Sequence, residues 1–320
     1  IPKLGTKELR PLGVPTVTDR AVQTALRNVI EPIFERDFAP HSYGFRPKRG
    51  AQGALRQVAN HLESGQNWVV DADIKGYFDN IPQDKLLAAV ATKISDGKVL
   101  ELIEYFLGQG VMESGKGWKP TVQGTPQGAV ISPLLANIYL DPLDHLMIHK
   151  GWKMVRYADD FVVLCASKEQ AEEALANIRQ WMEAAGLTLH PTKTRIVDAS
   201  QRGGFDFLGY HFERGKDWPR AKSKTKLKEV LREKTPSGRS GPLSEIIADV
   251  NKTLRGWGQY FRHSSYSHED INGWVRQRLR ALLRRRSNRT GRPTTGDQKR
   301  WPNAFFVSAG LEILLTDMQL

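Results

Sequence analysis

The sequence has almost no cysteine, since Cys165 is the only one among 320 residues. A single thiol excludes an internal disulfide and any cysteine-rich zinc module. Long apolar runs are missing as well, and stretches such as 161–166 are far too short to cross a bilayer. The first residues, IPKLG, lack the basic and then apolar pattern of a secretory signal. These absences favour a reducing compartment, and we expect a cytoplasmic protein with no membrane partner.

Positive charge is confined to one part of the chain. Residues 1–213 hold 24 Lys and Arg against 25 Asp and Glu, whereas residues 214–320 hold 23 against 10. The last third therefore carries the entire net charge of +12. Segregated positive charge is typical of proteins that bind a phosphate backbone. The alternative is a solvated basic surface that only aids solubility.

Residue patterns predict an α/β region followed by a helical one. Apolar runs predict a buried strand at 68–74 and a pair of strands at 155–166, bent around 158–160. Asp19 is a candidate cap for a first helix, and the pair Ser167 and Gln170 predicts a capping box for a later one. Residues 243–261 and 268–286 have amphipathic helical spacing, and residues 287–300 look like a loop. The apolar positions expected to be buried in the first and later helices are Val22, Ala25, Leu26, Val29 and Ile33, then Ala171, Ala174, Leu175, Ile178 and Met182.

Three acids carry the chemistry that the sequence suggests. Asp73 lies in an apolar strand, and the neighbours Asp159 and Asp160 are flanked by apolar strand residues. Buried carboxylates are costly and attract a small, highly charged cation such as Mg²⁺. Two such ions about 3.5–4 Å apart would stabilise the attacking and leaving oxygens of a phosphoryl transfer. The alternative is an acidic surface turn and an unrelated strand aspartate.

Several ordered motifs give the chain a resemblance to a known family, the reverse transcriptases encoded by group II introns. They are IPK and RPLGVP near the start, SYGFRP at 42–47, DIKGYFD at 73–79, QGTPQG at 123–128, YADD at 157–160, residues 187–193, and FLGY at 207–210. The later GWGQYF at 256–261 resembles the thumb, or maturase domain, of that family.

The resemblance implies an α/β (α+β) fold of the right-hand polymerase type. We expect fingers at 1–66, a palm with motifs A to E at 67–213, a helical thumb or maturase X domain at 220–288, and a basic, DNA-binding-like tail at 289–320. The extension that usually precedes the fingers is missing from the sequence. The cysteine pairs of the HNH endonuclease carried by many relatives are absent, so we expect a bacterial, nuclease-lacking member.

The resemblance also implies the metal ligands. Asp73 and Asp159 are expected to be the principal ligands of two Mg²⁺ ions, for which Mn²⁺ can substitute. The carbonyl of Ile74 is a further expected oxygen ligand, and Asp160 is the less direct third acid.

Five residues are expected to bind the incoming dNTP. Lys3 and Arg10 correspond to triphosphate-binding residues, and Phe78 occupies the position whose ring excludes a ribose 2′-hydroxyl. Gln127 is expected to contact the nucleotide, and Lys193 to protonate the departing pyrophosphate. Each assignment has an open alternative. Lys3 and Arg10 are then two surface cations, and Phe78 is a core aromatic ring. Gln127 is then a plain turn residue, and Lys193 is a lysine on a solvated loop.

Five further residues are expected on the template and primer. Arg46 either contacts the template or braces its own loop, and the sequence does not choose between these roles. Gly209 and Tyr210 lie in the primer-grip motif. Arg276 and Arg280 lie on the basic thumb helix.

The resemblance implies an RNA-directed DNA polymerase that copies an RNA template from a DNA or RNA primer. Group II intron RNA, bound for splicing and retromobility, and a DNA target are the other implied partners. Two alternatives remain open: a non-catalytic RNA-binding splicing cofactor, and a reverse transcriptase recruited to host DNA repair or phage defence. The oligomeric state cannot be read from the sequence.

Overall fold

The computed structural model describes residues 13–113, 117–119 and 121–317. The predicted triphosphate-binding residues Lys3 and Arg10 lie outside the described residues. The chain divides into two compact units, the first ending at Leu208 and the second beginning at Gly209. Among the described residues, no helix combines the length and the apolar character needed to cross a membrane.

The first unit mixes helices with short strands. Its helices are α1 (Val17–Glu35), α2 (Ala51–Glu63), α3 (Tyr77–Asn80), α4 (Gln83–Ala91), α5 (Gly97–Gly108), α6 (Ser132–His149) and α7 (Lys168–Ala184). Its strands are β1 (Trp68–Asp73), β2 (Val111–Glu113), β3 (Gly117–Lys119), β4 (Lys153–Tyr157), β5 (Asp160–Cys165), β6 (Arg195–Asp198) and β7 (Phe205–Phe207).

A four-stranded sheet in the order β4-β5-β1-β6 forms the centre of the first unit. Its neighbouring strands pair antiparallel throughout. Helices α6 and α7 pack against the sheet, and α2 packs on β4 and β5. Both central strands are therefore largely buried, which explains their nearly continuous apolar sequences. The predicted strands at 68–74 and 155–166 are confirmed.

The buried positions and the capping residue predicted for α7 are confirmed, although the side chain of Gln170 accepts from the backbone N–H of Ala166 and not from that of Ser167. The prediction for α1 is mostly wrong, because only Leu26 of its five expected apolar positions is buried. All five expected apolar positions of α7 are buried, and Ser167 caps it by accepting a hydrogen bond from the backbone N–H of Gln170. In α1 the cap is Thr16, and Asp19 lies in the first turn. Val29 is 67% exposed, whereas the polar Gln23 is buried. Gln23 is buried because its Oε1 accepts a hydrogen bond from the backbone N–H of Val130 at 2.8 Å, a contact that local periodicity cannot reveal.

The second unit combines a β-hairpin with helices around its own apolar core. It contains β8 (Tyr210–Glu213), β9 (Lys216–Pro219), α8 (Ala221–Lys234), α9 (Leu243–Tyr260), α10 (Glu269–Arg286), α11 (Thr295–Arg300) and α12 (Asn303–Ser308). The expected helices at 243–261 and 268–286 are confirmed. The loop expected at 287–300 is partly helical, because Thr294 and Asp297 form a capping box that starts α11. Trp301 and Phe306, which follow α11 in the chain, pack in the same core as α8, α9 and α10.

Candidate active site

The three acids singled out in the sequence lie at one end of the central sheet. Asp73 is the last residue of β1 and pairs directly with Asp160, the first residue of β5. Residues directly opposite each other in an antiparallel pair project from the same face of the sheet. Asp159 lies in the tight turn between β4 and β5, which Ala158 enters with a left-handed φ of 58°. The fold thus brings the DIKGYFD and YADD motifs together.

The segment after α7 approaches Asp73 from the other side. The Nζ of Lys193 donates a hydrogen bond to Oδ2 of Asp73 at 2.6 Å. The backbone N–H of His190 donates to the carbonyl of Asp73 at 2.7 Å, and Ile74 forms a β-bridge with Leu189. The predicted phosphate-side lysine therefore lies against a predicted metal-binding carboxylate, and backbone contacts join residues 189–190 to residues 73–74.

The QGTPQG loop packs directly on the motif that follows Asp73. The backbone N–H of Thr125 donates to the carbonyl of Phe78 at 2.7 Å, and Nε2 of Gln127 donates to Oδ1 of Asp79 at 2.8 Å. Gly124 has a φ of 81°, and a Cβ there would lie 2.5 Å from the oxygen of Phe78. Only glycine fits this close approach. Gln127 is thus held against Asp79, the residue that follows Phe78.

The ring of Phe78 is half-buried and has two aromatic neighbours. Tyr77 lies edge-on to it at a centroid distance of 5.6 Å, and Phe45 of the SYGFRP loop lies edge-on at 6.3 Å. Phe45 has a φ of 60°, an uncommon conformation for a non-glycine residue that is often found at functional sites. The ring of Phe78 is therefore held between two aromatic neighbours and is only partly a core residue.

The electrostatics of the site extend along β1. Burial raises the pKa of Asp71, two residues before Asp73, while its hydrogen bond with Arg195 opposes that rise. The Nε of Arg195 donates to Oδ2 of Asp71 at 3.2 Å. The acids of β1 are thus each matched by a cation from the segment 193–195, which lowers the cost of placing them on one strand.

The three acids at this end of the sheet carry the type of ligand atom that magnesium prefers. Asp73, Asp159 and Asp160 offer hard carboxylate oxygens, and the contact of Lys193 shows that Asp73 accepts a cation on its open side. Within residues 13–113, 117–119 and 121–317, no group of three or more His, Cys, Asp or Glu side chains is gathered closely enough to hold an ion. The residues therefore fit the ion in type, and Lys193 would have to give way for Asp73 to bind a metal.

Arg46 lies away from solvent and braces its own loop. Its guanidinium donates to Glu35 and to the carbonyls of Ala39 and Ser42, and the residue is 7% exposed. These contacts favour the bracing role among the two that the sequence allowed. A contact with the template stays a prediction.

The four residues expected on the template and primer in the second unit are also engaged internally. Arg276 pairs with Glu269, and Arg280 donates to the carbonyl of Trp301 at 2.9 Å. The hydroxyl of Tyr210 donates to the carbonyl of Tyr260 at 2.8 Å, and burial raises its pKa. Gly209 accepts at its carbonyl from the hydroxyl of Ser223. The inward-facing guanidinium groups argue against direct contacts with nucleic acid at Arg276 and Arg280, and these contacts stay predictions.

One buried feature beside the site was not predicted from the sequence, an ionic cluster behind the turn of β4 and β5. Arg156 and Asp144 are both 0% exposed and form an ion pair. The available signal was a charged residue inside the apolar run of β4. Its partners on α6 are 12 and 19 residues away in sequence, so spacing alone could not identify them.

Comparisons with known proteins agree with this arrangement. The reverse transcriptase (RNA-dependent DNA polymerase) family model matches residues 1–212, and the group II intron maturase-specific domain model matches residues 224–301. The chain is similar to the group II intron-encoded protein LtrA of Lactococcus lactis subsp. cremoris, with 44% identity over 156 residues, which cover 49% of this chain and 26% of that protein.

Two further likenesses extend over more of the chain. Protein YkfC of Escherichia coli K12 is 35% identical over 253 residues, which cover 67% of this chain and 65% of that protein. A solved structure of telomerase from Candida tropicalis aligns at 12% identity with a TM-score of 0.49, covering 85% of this chain and 48% of that one. The chain thus spans about a quarter of the length of LtrA and 65% of that of YkfC.

The matched family model covers well over half of the chain and includes every motif that meets at the acids. The fold is that of a right-hand polymerase, and a maturase-specific domain follows it. The chain therefore belongs to the reverse transcriptase family, in the branch whose members carry the group II intron maturase domain.

Proposed function

We propose that this protein is an RNA-directed DNA polymerase of a group II intron. The observation that supports this most strongly is the pairing of Asp73 with Asp160 across β1 and β5, with Lys193 and the Gln127 loop converging on the same end of the sheet. A nucleotidyl transfer site needs metal-binding acids, a cation for the phosphates and a surface that selects the nucleotide. In this proposal separate segments of the chain contribute the three.

Asp73 and Asp159 are the principal ligands for two Mg²⁺ ions in this proposal, with the Ile74 carbonyl and Asp160 as further oxygen donors. Mn²⁺ has the same preference for oxygen ligands and can substitute. The bound ions supply charge stabilisation for the attacking 3′-hydroxyl and the leaving pyrophosphate. The protein's contribution is to hold Asp73 at the end of β1 and Asp159 in the turn beside the neighbouring strand β5, since paired strands lie at a fixed separation.

Nucleotide selection falls to the surface made by Phe78 and Gln127. The ring of Phe78, held edge-on by Tyr77 and Phe45, excludes a ribose 2′-hydroxyl and so favours dNTPs. Lys193, released from Asp73 as metal and substrate bind, donates a proton to the departing pyrophosphate. Lys3 and Arg10 complete the triphosphate site, as the family resemblance implies.

The second unit supplies the nucleic-acid grip. Its residues 209–320 hold 23 Lys and Arg against 11 Asp and Glu, which suits a partner with a charged backbone. We propose that it binds the RNA template with its primer, and the intron RNA during splicing, by shape and backbone contacts. The same proposal includes a DNA target and a cytoplasmic site of action. It also includes the division of the chain into fingers, palm, thumb and tail.

Primer extension tests this function directly. The wild-type protein should extend a DNA primer on an RNA template with dNTPs and Mg²⁺, and NTPs should be used poorly. Asp159→Ala should abolish extension while the affinity for RNA stays within a few-fold. Asp198→Ala is the matched control, because Asp198 lies on the neighbouring strand β6 and pairs with Trp68 at the opposite end of β1.

Two outcomes would contradict the proposal. Extension by Asp159→Ala at the wild-type rate would remove the metal-site assignment. RNA binding by a wild-type protein that extends no primer would instead favour the non-catalytic splicing cofactor.

A further inference from the structure

A buried guanidinium lies directly behind the turn that carries Asp159. Arg156 is 0% exposed, and its Nε donates to Oδ1 of Asp144 at 2.8 Å. Asp144 is also 0% exposed and takes a second donor, Nη2, on its other oxygen. A buried charge must be paired, and this bidentate pair satisfies one side of the guanidinium.

The remaining donor of Arg156 is directed at the turn. Nη1 donates to the carbonyl of Ala158 at 2.9 Å and to Oδ1 of Asn137 at 3.0 Å. The Ala158 carbonyl belongs to the peptide group that links Ala158 to Asp159. A hydrogen bond to that oxygen therefore fixes the orientation of the peptide plane from which Asp159 projects.

The same turn is held from its other side by the SYGFRP loop. Nδ2 of Asn137 donates to the carbonyl of Gly44 at 2.8 Å. A Cβ at Gly44 would overlap the backbone nitrogen of Ala158 and lie 2.9 Å from the carbonyl carbon of Tyr157. The turn is thus enclosed between Gly44 and the guanidinium, and Asn137 joins the two.

The backbone of Arg156 strengthens this connection. Its N–H donates to the carbonyl of His41 at 3.0 Å, and its carbonyl accepts from the N–H of Tyr43 at 2.8 Å. One residue therefore links β4, α6, the 41–44 loop and the turn. The ion pair between Arg156 and Asp144 does not require the hydrogen bond from Arg156 to the turn, so that hydrogen bond needs a separate explanation.

Stability by itself is a weak explanation for this arrangement. Well-packed apolar residues often replace a buried ion pair at no cost in stability. Ala158 also has a left-handed φ of 58°, a conformation that non-glycine residues adopt only when the surroundings impose it. The hydrogen bond from Arg156 is one of the contacts that impose it.

We propose that Arg156 is a positioning residue for the polymerase reaction, which holds the Ala158 peptide so that Asp159 is oriented to bind metal. This inference rests on the proposed function, because it assigns a task to the site described above. Arg156 touches neither substrate nor metal in this account. It acts on the chemistry through the backbone of the turn.

The test is Arg156→Lys in the full chain. A lysine keeps the charge beside Asp144 but lacks the planar fork that reaches Ala158 and Asn137 at the same time. We expect the rate of single dNTP addition to fall at least about tenfold, equivalent to about 1.4 kcal/mol. The KM for dNTP and the affinity for RNA should stay within about threefold, because neither binding surface includes Arg156.

A readout without turnover separates positioning from a general loss of structure. Mn²⁺ binding, followed by electron paramagnetic resonance, should weaken about tenfold in Arg156→Lys. Ile178→Ala is the control, because Ile178 is a buried α7 core residue that makes none of the contacts with the turn. This variant should lower the thermal unfolding midpoint while leaving Mn²⁺ binding and the rate unchanged.

A second variant covers the case in which Arg156→Lys does not fold. Asn137→Ala keeps the ion pair and removes the link to Gly44, and we expect Mn²⁺ binding to weaken a few-fold. A folded Arg156→Lys, or failing that a folded Asn137→Ala, with wild-type rate and Mn²⁺ affinity would overturn the inference. If the wild type itself extends no primer, the proposed function fails, and Mn²⁺ binding still decides the role of Arg156.

Discussion

The two units of this protein use charge in opposite ways. The first holds 24 Lys and Arg against 24 Asp and Glu, whereas the second holds 23 against 11. In the first unit the distinctive charges are acids on paired strands, at the end where Asp73 faces Asp160. In the second unit the cations lie along helices. In the proposed function the balanced unit holds metal and nucleotide, and the basic unit holds a nucleic-acid backbone.

Buried arginines sharpen the comparison, because both units contain them. In the first unit Arg156 bonds to a backbone carbonyl beside Asp159. In the second, Arg280 bonds to the carbonyl of Trp301, and Arg284 pairs with the buried Asp297. The latter two join the last segment to the helical core. The same residue type therefore serves the site in one unit and the packing of the fold in the other.

The largest expected effect is on a strand acid of the first unit. Asp73→Asn should lower primer extension by roughly a thousandfold or more, a loss that removal of a central charged group typically causes. RNA affinity should change less than threefold, because the substituted group lies in the other unit from the basic helices. A gel-based extension assay and a filter-binding titration measure the two quantities. If RNA binding were lost together with extension, the assignment of catalysis to the first unit and of RNA binding to the second would be contradicted.

The next effect concerns nucleotide choice in the first unit. Phe78→Val shortens the side chain that we propose selects the sugar, and we expect discrimination between dNTP and NTP to fall about 10- to 100-fold, or about 1.4 to 2.7 kcal/mol. The ratio of kcat/KM values for matched dNTP and NTP pairs is the measurement. Tyr105→Val, at an exposed ring of α5, is the control and should leave the ratio unchanged. An unchanged ratio in Phe78→Val would show that the ring is only a packing residue.

A smaller effect is expected from the basic surface of the second unit. Lys222 and Lys226 are exposed on α8, and replacing both with Ala should weaken RNA binding about 5- to 10-fold. The slope of log affinity against log salt should fall by roughly one to two, as loss of two phosphate contacts requires. The rate of dNTP addition at saturating RNA should be unchanged. A lower rate of dNTP addition with unchanged RNA affinity would contradict the assignment of RNA binding to the second unit.

The smallest effect is a pH dependence of stability. Burial lowers the pKa of His268, whose ring bonds to the carbonyl of Phe261. Since the unfolded chain then binds the proton more readily, the free energy of unfolding should fall as pH drops below about 6.5. His268→Gln should flatten this dependence but not abolish it, because burial also lowers the pKa of His41 and His61 in the first unit. Denaturant titrations at several pH values check the slope.

The sequence was sufficient for elements whose signal is local. The apolar run before Asp73 and the capping residue Ser167 depend on neighbours within a few positions, and both predictions are confirmed. The family motifs, taken together, also predicted that the DIKGYFD and YADD motifs lie side by side.

Long-range contacts account for what the sequence could not give. Gln23 is buried because it binds the backbone of Val130, 107 residues away, and Val29 is exposed although its spacing suited a core position. The sequence allowed Arg46 either to contact the template or to brace its own loop. Its contacts with Glu35 and Ala39, which the sequence does not reveal, favour the bracing role. Likewise, the cluster around Arg156 depends on α6 and the 41–44 loop meeting at one turn.

The most direct measurement is single-turnover incorporation of one dNTP opposite an RNA template base, with wild type and Asp159→Ala compared at equal RNA occupancy. We expect a product burst with wild type in Mg²⁺ or Mn²⁺, and none above background with the variant. Equal bursts from the two proteins would contradict the assignment of the acids at the β1–β5 end of the sheet as the polymerase site.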